Sequence, residues 1–307
     1  MGYVRTALLL AGLTGLFLAV GYLIGGMQGA LIALVMAAVM NLVSYWYSDK
    51  MVLAMYGAQP VENTELNAIV AELAARAQLP MPKVYLIESA QPNAFATGRN
   101  PQHAAVAATT GLLNRLNRDE VRAVLAHELG HVKNRDSLTM TLTAVLAGAI
   151  GMLAQSLFWF GGLGSRDRNS PLGGIGALLV MLLAPIAAML VQLAISRGRE
   201  YEADRAGAAL SGEPRALASA LQKISSAAAA IPNPVAEAHP ASAHLFIVNP
   251  LHGSGADNLF STHPSVENRI ARLLQMEGGI SAPPTPAATR RGRSVLPETG
   301  ARRGPWG

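Results

Sequence analysis

The stretch Ala123-Val124-Leu125-Ala126-His127-Glu128-Leu129-Gly130-His131 decides how the rest of the chain is read. Its first residues are small and apolar, which suits a helix buried around the two histidines. Asn117 is placed to cap that helix, and Asp119 and Glu120 fall in its first turn, where negative charge meets unpaired N–H groups. His127 and His131, four apart, then share one face about one turn apart. Two imidazoles so placed can hold one zinc ion. Glu128 falls near the open position of such a metal, where a carboxylate can take a proton from water and pass it to a leaving amine. Gly130 permits close approach of another backbone.

A catalytic zinc takes a third protein ligand. The extended pattern with a third histidine is not met, because Asn134 and Ser137 stand where its glycine and histidine would be. The best candidate is Glu200, in Arg199-Glu200-Tyr201-Glu202-Ala203-Asp204, with Glu202 as the runner-up. Asp204 shares the helical face of Glu200 and could accept a hydrogen bond from the far nitrogen of a liganding histidine.

Outward from these motifs the chain turns apolar. Of 307 residues, 51% are hydrophobic and 14% charged, and the mean hydropathy is +0.29. These values argue against a purely soluble enzyme and against a wholly disordered chain. Runs at residues 6–24, 29–47, 138–160 and 172–195 are each near the ~20 residues that span a bilayer. The expected fold class is therefore a mainly α integral membrane protein with four transmembrane helices and a small β-sheet in its soluble part. Run one is read as a retained helix, not a cleaved signal. Gly21 and Gly25 suggest close helix packing, and Asn41 inter-helix hydrogen bonding. The net charge of +5 serves topology better than nucleic-acid binding. Lys50, Lys133, Arg135 and Arg199 lie on the side of both termini, which puts the termini and the soluble parts in the cytoplasm. Two crossings separate His131 from Glu200, so all three ligands reach one membrane surface. Cysteine is absent, which leaves no thiol nucleophile or thiolate ligand.

The expected organisation is residues 1–47 as two spans, 48–137 as a soluble part with the histidine helix, 138–195 as two further spans, 196–278 as a second soluble part, and 279–307 as a disordered basic tail. Within the soluble parts, helices are expected from Asn63 or Thr64 to Gln78, from Arg118, over 200–210, 214–230 and 265–276. Strands are expected at 83–87, 93–97 and 104–109, and a loop at 231–264.

Four segments, in chain order, resemble a known family. They are Asn93-Ala94-Phe95-Ala96-Thr97-Gly98, the motif at 127–131 with Asn134 and Asp136 after it, Ser196 to Asp204, and Ser261-Thr262-His263-Pro264. Together they are similar to the HtpX-type membrane zinc metalloproteases, related to the CAAX prenyl protease, over about residues 3–276. The resemblance implies a gluzincin-like catalytic domain with one zinc per chain on His127, His131 and Glu200, and Glu128 as base. It implies that Asn93, Ala94, Phe95, Ala96 and Thr97 form an edge strand aligning an extended substrate. His263 is implied either as an oxyanion donor or as a structural residue. The implied role is endopeptidase quality control of damaged membrane proteins at the cytoplasmic face of a bacterial inner membrane. Its partners would be protein and peptide substrates and the lipid bilayer, with no nucleic acid. The alternatives are a narrow-specificity processing peptidase, or a non-catalytic membrane scaffold with structural zinc.

Overall fold

The computed structural model describes residues 2–160, 197–251 and 264–276. Helix α1 (Gly2–Met55) takes in the first two apolar runs and breaks at Gly25 and Gly26, where Gly26 adopts φ 58. That left-handed geometry suits glycine and lets the two arms fold back on each other. A Cβ on Gly21 would stand 2.5 Å from the Gly29 oxygen, so the close packing expected at Gly21 involves Gly29. Asn41 Nδ2 donates across the arms to Thr14 Oγ1 at 3.0 Å and to the Leu10 carbonyl at 3.4 Å. Leu31, Ile32, Val35, Met36, Val39 and Leu42 remain exposed. Such an apolar outer face matches a lipid environment better than water.

Among the described residues, 25–55 is the one helical stretch long and apolar enough to cross a membrane, with shorter apolar helices at 6–19 and 137–148. The expectation of four spans is thus supported in part. Run three begins helix α5 (Ser137–Phe160), and run four lies outside the described residues.

The remaining elements surround a four-stranded sheet. Strand β1 (Gln59–Pro60) precedes α2 (Glu65–Ala77), whose Thr64 cap and Asn67 form a reciprocal capping box. Strands β2 (Lys83–Ile87), β3 (Ala94–Thr97) and β4 (Ala105–Thr109) come next. The sheet order is β1-β2-β4-β3. Strands β2 and β4 run parallel, with Lys83 opposite Ala105, while β3 is antiparallel to β4, with Phe95 opposite Ala107. Strand β3 is therefore an edge. After α3 (Thr110–Arg115) comes α4 (Arg118–Asn134), opened by a capping box of Asn117 and Glu120. Helices α6 (Arg197–Ser211), α7 (Pro214–Ala230), α8 (Pro234–Ala238) and α9 (Val266–Gln275) complete the fold. The loop expected at 231–264 is thus corrected. It holds α8, started by Asn233 and Pro234, and a 3₁₀ turn at Pro240–Leu245.

One core packs α2, α4 and α7 around Leu73, Leu125, Leu129, Leu217 and Leu221. A second joins the end of α1 to the sheet through Val52, Tyr56, Phe95 and Phe246. Buried Glu120 ties α4 to α7 by accepting from Ser219 Oγ at 2.7 Å and Lys223 Nζ at 2.8 Å.

Candidate metal centre

Helices α4 and α6 cross at very short range because small residues face each other. A Cβ on Gly207 would lie 2.8 Å from both the N and the Cα of His127, and one on Gly130 would lie 3.4 Å from Ala203 Cα. This contact brings Glu200, seven residues before Gly207 and on the same helical side, onto the two histidines. His127, His131 and Glu200 are all buried, and they offer ligand atoms within 4.8 Å of one another. Glu200 Oε2 is 3.7 Å from His127 Nε2, and its Oε1 is 3.6 Å from His131 Nε2. The rings stand perpendicular, with centroids 4.9 Å apart.

Each histidine has a carboxylate at its other nitrogen. His127 Nδ1 lies 3.0 Å from Asp204 Oδ1, and His131 Nδ1 lies 3.6 Å from Asp136 Oδ2. At 3.0 Å Asp204 is close enough to fix the ring orientation and tautomer of His127, whereas Asp136 acts on His131 through its charge. Arg269, on α9, is fully buried and grips Asp204 with two hydrogen bonds, from Nε at 2.8 Å and Nη2 at 2.7 Å. Its Nη1 donates to the Ile247 carbonyl at 2.7 Å and lies 3.7 Å from Glu200. Arg199 Nη1 lies 3.8 Å from Asp136. The sequence alone assigns no role to Arg269 or Asp136. Arg269 does leave a trace there: it falls in phase with Val266, Ile270 and Leu273, a charge on an apolar stripe.

The donors fit a divalent cation on charge grounds as well. Among the described residues, Glu128, Glu200, Asp204 and Asp136 are four buried carboxylates at this site, faced by the two buried guanidiniums of Arg199 and Arg269. Two negative charges are left over in a low-dielectric place, and a dication would balance them. Without one, protons take that role. Burial raises Glu128 to about 8. Burial alone would lower His131, but Asp136, Glu200 and Glu128 outweigh it and raise the ring to about 9. Burial lowers His127, against the pull of Asp204. Asp204 is pushed up by burial, yet Arg269 holds it at about 2.

Glu128 also touches the edge strand. Its Oε2 accepts from the Ala96 backbone N–H at 3.0 Å. Ala94 N–H donates to Asn93 Oδ1 at 3.0 Å, and the same oxygen accepts from Ile247 N–H at 3.3 Å. Phe95 points into the core against Tyr56 and Phe246, with centroids 5.7 and 6.1 Å away, and Thr97 Oγ1 meets Thr141 Oγ1 at 2.9 Å. All of Asn93 to Thr97 are buried. Of the other expected residues, Glu202 is exposed and stands outside the metal group, and His263 lies outside the described residues.

Known proteins offer two comparisons. A model of peptidase family M48 matches residues 60–277. Among solved structures, the chain is similar to the crystal structure of S. mikatae Ste24p, at 21% identity and a TM-score of 0.49, over 86% of this chain. The chain spans 62% of the length of that protein.

Proposed function

The chain belongs to peptidase family M48, and from that premise we propose that it is a membrane-bound zinc endopeptidase acting on membrane proteins. The carrying observation is one buried cluster in which His127, His131 and Glu200 can share an ion while Glu128, on α4 beside them, accepts the Ala96 N–H of the edge strand. Two imidazoles and a carboxylate suit zinc. When bound, the ion supplies a Lewis acid for the scissile carbonyl and for water. Glu128 takes the proton of the attacking water and returns it to the leaving amine. Asp204 orients the His127 imidazole, Asp136 sets its charge beside that of His131, and Arg269 keeps Asp204 ionised.

Strand β3 aligns the substrate by strand addition. Support comes from its edge position and from the Ala96 N–H that meets Glu128. His263 donates to the developing oxyanion or braces the site, in line with the family resemblance. Residues 48–137 and 196–278 together form the peptidase part. The hairpin of α1 and the apolar runs at 138–160 and 172–195 anchor it as four spans, with the basic tail at 279–307 after them. The excess of Lys and Arg on one side supports a cytoplasmic site at a bacterial inner membrane, with clearance of damaged membrane proteins as the role.

The test starts from protein purified in detergent with a chelator. Zinc is then restored, and cleavage of an unfolded model protein is monitored. Parent protein should cleave only with zinc, and Glu128→Gln should bind zinc without cleaving. Equal cleavage by both would overturn the assignment of Glu128.

A further inference from the structure

We propose that Arg99 and Arg135 form a binding surface for anionic phospholipid headgroups, where the α1 hairpin leaves the bilayer. This rests on the membrane reading above. Several contacts set the level of this surface. Thr6 and Thr139 hydroxyls meet at 3.1 Å and are buried, which holds the first turns of α1 and α5 side by side. The returning arm of α1 carries Tyr45-Trp46-Tyr47 two turns before its end, with Trp46 and Tyr47 half exposed, as in the aromatic belts of membrane–water interfaces. The Arg99 guanidinium lies over the Trp46 ring, 4.7 Å from its centroid. The loop carrying Arg99 is thereby held at the aromatic level.

Arg99 and Arg135 line one narrow cleft together with Ser137 and Leu138, the first residues of α5. The cleft holds only about 10 Å³, room for a water, so a phosphate would rest at its mouth. Lys133 and Arg135 are exposed at the end of α4, and Lys50 is exposed with its Nζ 5.2 Å from the Tyr47 ring centroid. Of the acids among the described residues, Asp49 shares the turn of Lys50, while Asp136 is buried and turned toward His131 and Arg199. Arg99 and Arg135 thus share the mouth of this cleft beside α5, with Lys133 two residues before Arg135 and Lys50 one helical turn after Trp46. Guanidiniums suit phosphate oxygens, and a net cationic surface favours an anionic headgroup over a zwitterionic one. The Arg135 N–H bonds the carbonyl of His131, so a headgroup held there would fix the metal-binding helix at the membrane surface.

The test uses full-length protein carrying Trp159→Phe and Trp306→Phe, which leaves Trp46 as the reporter. It is placed in vesicles of equal parts phosphatidylcholine and phosphatidylglycerol, with brominated acyl chains on one lipid or the other. Brominated phosphatidylglycerol should quench Trp46 more strongly than brominated phosphatidylcholine. Arg99→Gln with Arg135→Gln should erase that preference, each change weakening it about fivefold, while the paired Lys variants retain it. Equal quenching by both lipids in the parent, or a preference that survives the Gln pair, would overturn the proposal. Quenching by neither lipid would instead overturn the membrane reading on which it rests.

Discussion

Gly207→Ala puts a methyl group where α6 crosses α4. Its Cβ would stand 2.8 Å from His127 N and Cα and 3.1 Å from His127 Cβ. Carbon atoms rest at about 3.5 Å or more, so the helices must part by roughly 0.7 Å. The atoms in the way are backbone and cannot rotate aside. Overpacking of this kind costs about 1–3 kcal/mol. The larger effect falls on the metal, because Glu200 rides on α6 and the histidines on α4. Metal–ligand distances tolerate about 0.2 Å, so a shift several times larger should weaken binding by more than about tenfold. Gly130→Ala is the internal control: its Cβ meets Ala206 Cβ at 3.2 Å and Ala203 Cα at 3.4 Å, which a small adjustment absorbs. Zinc affinity is read by competition with a chelating dye, and the chelated proteins are unfolded in denaturant to separate folding from binding. Parent-like zinc affinity in Gly207→Ala, or greater damage from Gly130→Ala, would refute the claim that this crossing sets the ligand geometry.

The same cluster bears on stability and on proton release. Arg269→Met leaves Asp204 and Glu200 buried without their cation and should lower the stability of the chelated protein by about 3–5 kcal/mol, measured by denaturant unfolding. Burial raises Glu128, and the carboxylates of Asp136 and Glu200 raise His131, so the cluster holds protons at pH 7 in the metal-free protein. Zinc must displace the proton on its ligand His131, and its charge draws the proton from neighbouring Glu128 as well. Binding at pH 7 should release protons, and apparent affinity should climb as pH rises through the raised titration of His131. Calorimetry in buffers of different ionisation enthalpy measures this, and proton-neutral binding would contradict it. Glu120→Ala strips partners from Ser219, Lys223 and the Asn117 N–H; a loss of about 2–3 kcal/mol is expected, read as a lower denaturation midpoint.

Long, strongly patterned elements are legible in the sequence. Asn117 with Glu120 announces the start of α4, and the alternation at 83–87 announces β2. Glu200 is reachable from the expectation of two crossings between it and His131, which would return the chain to the side it left. Shorter elements offer no period to read: β1 has two residues and α3 six. The side of α1 that meets its other arm depends on Gly29 as well as Gly21, a pairing across the hairpin that local spacing does not encode. The role of Arg269 is hidden for the same reason, although its place on an apolar stripe is visible. Its partner Asp204 is 65 residues away, and only the tertiary crossing of α9 with α6 brings them together. Asp136 is visible within a motif, but its contact with His131 depends on the turn in which Arg135 takes φ 59.

The most direct measurement is the metal content of parent, Glu200→Gln and Glu202→Gln proteins after chelation, zinc loading and desalting. A single tightly held zinc per chain is expected in the parent and in Glu202→Gln, and its loss is expected in Glu200→Gln. Full retention of zinc by Glu200→Gln, with loss from Glu202→Gln, would contradict the ligand set on which the whole account stands.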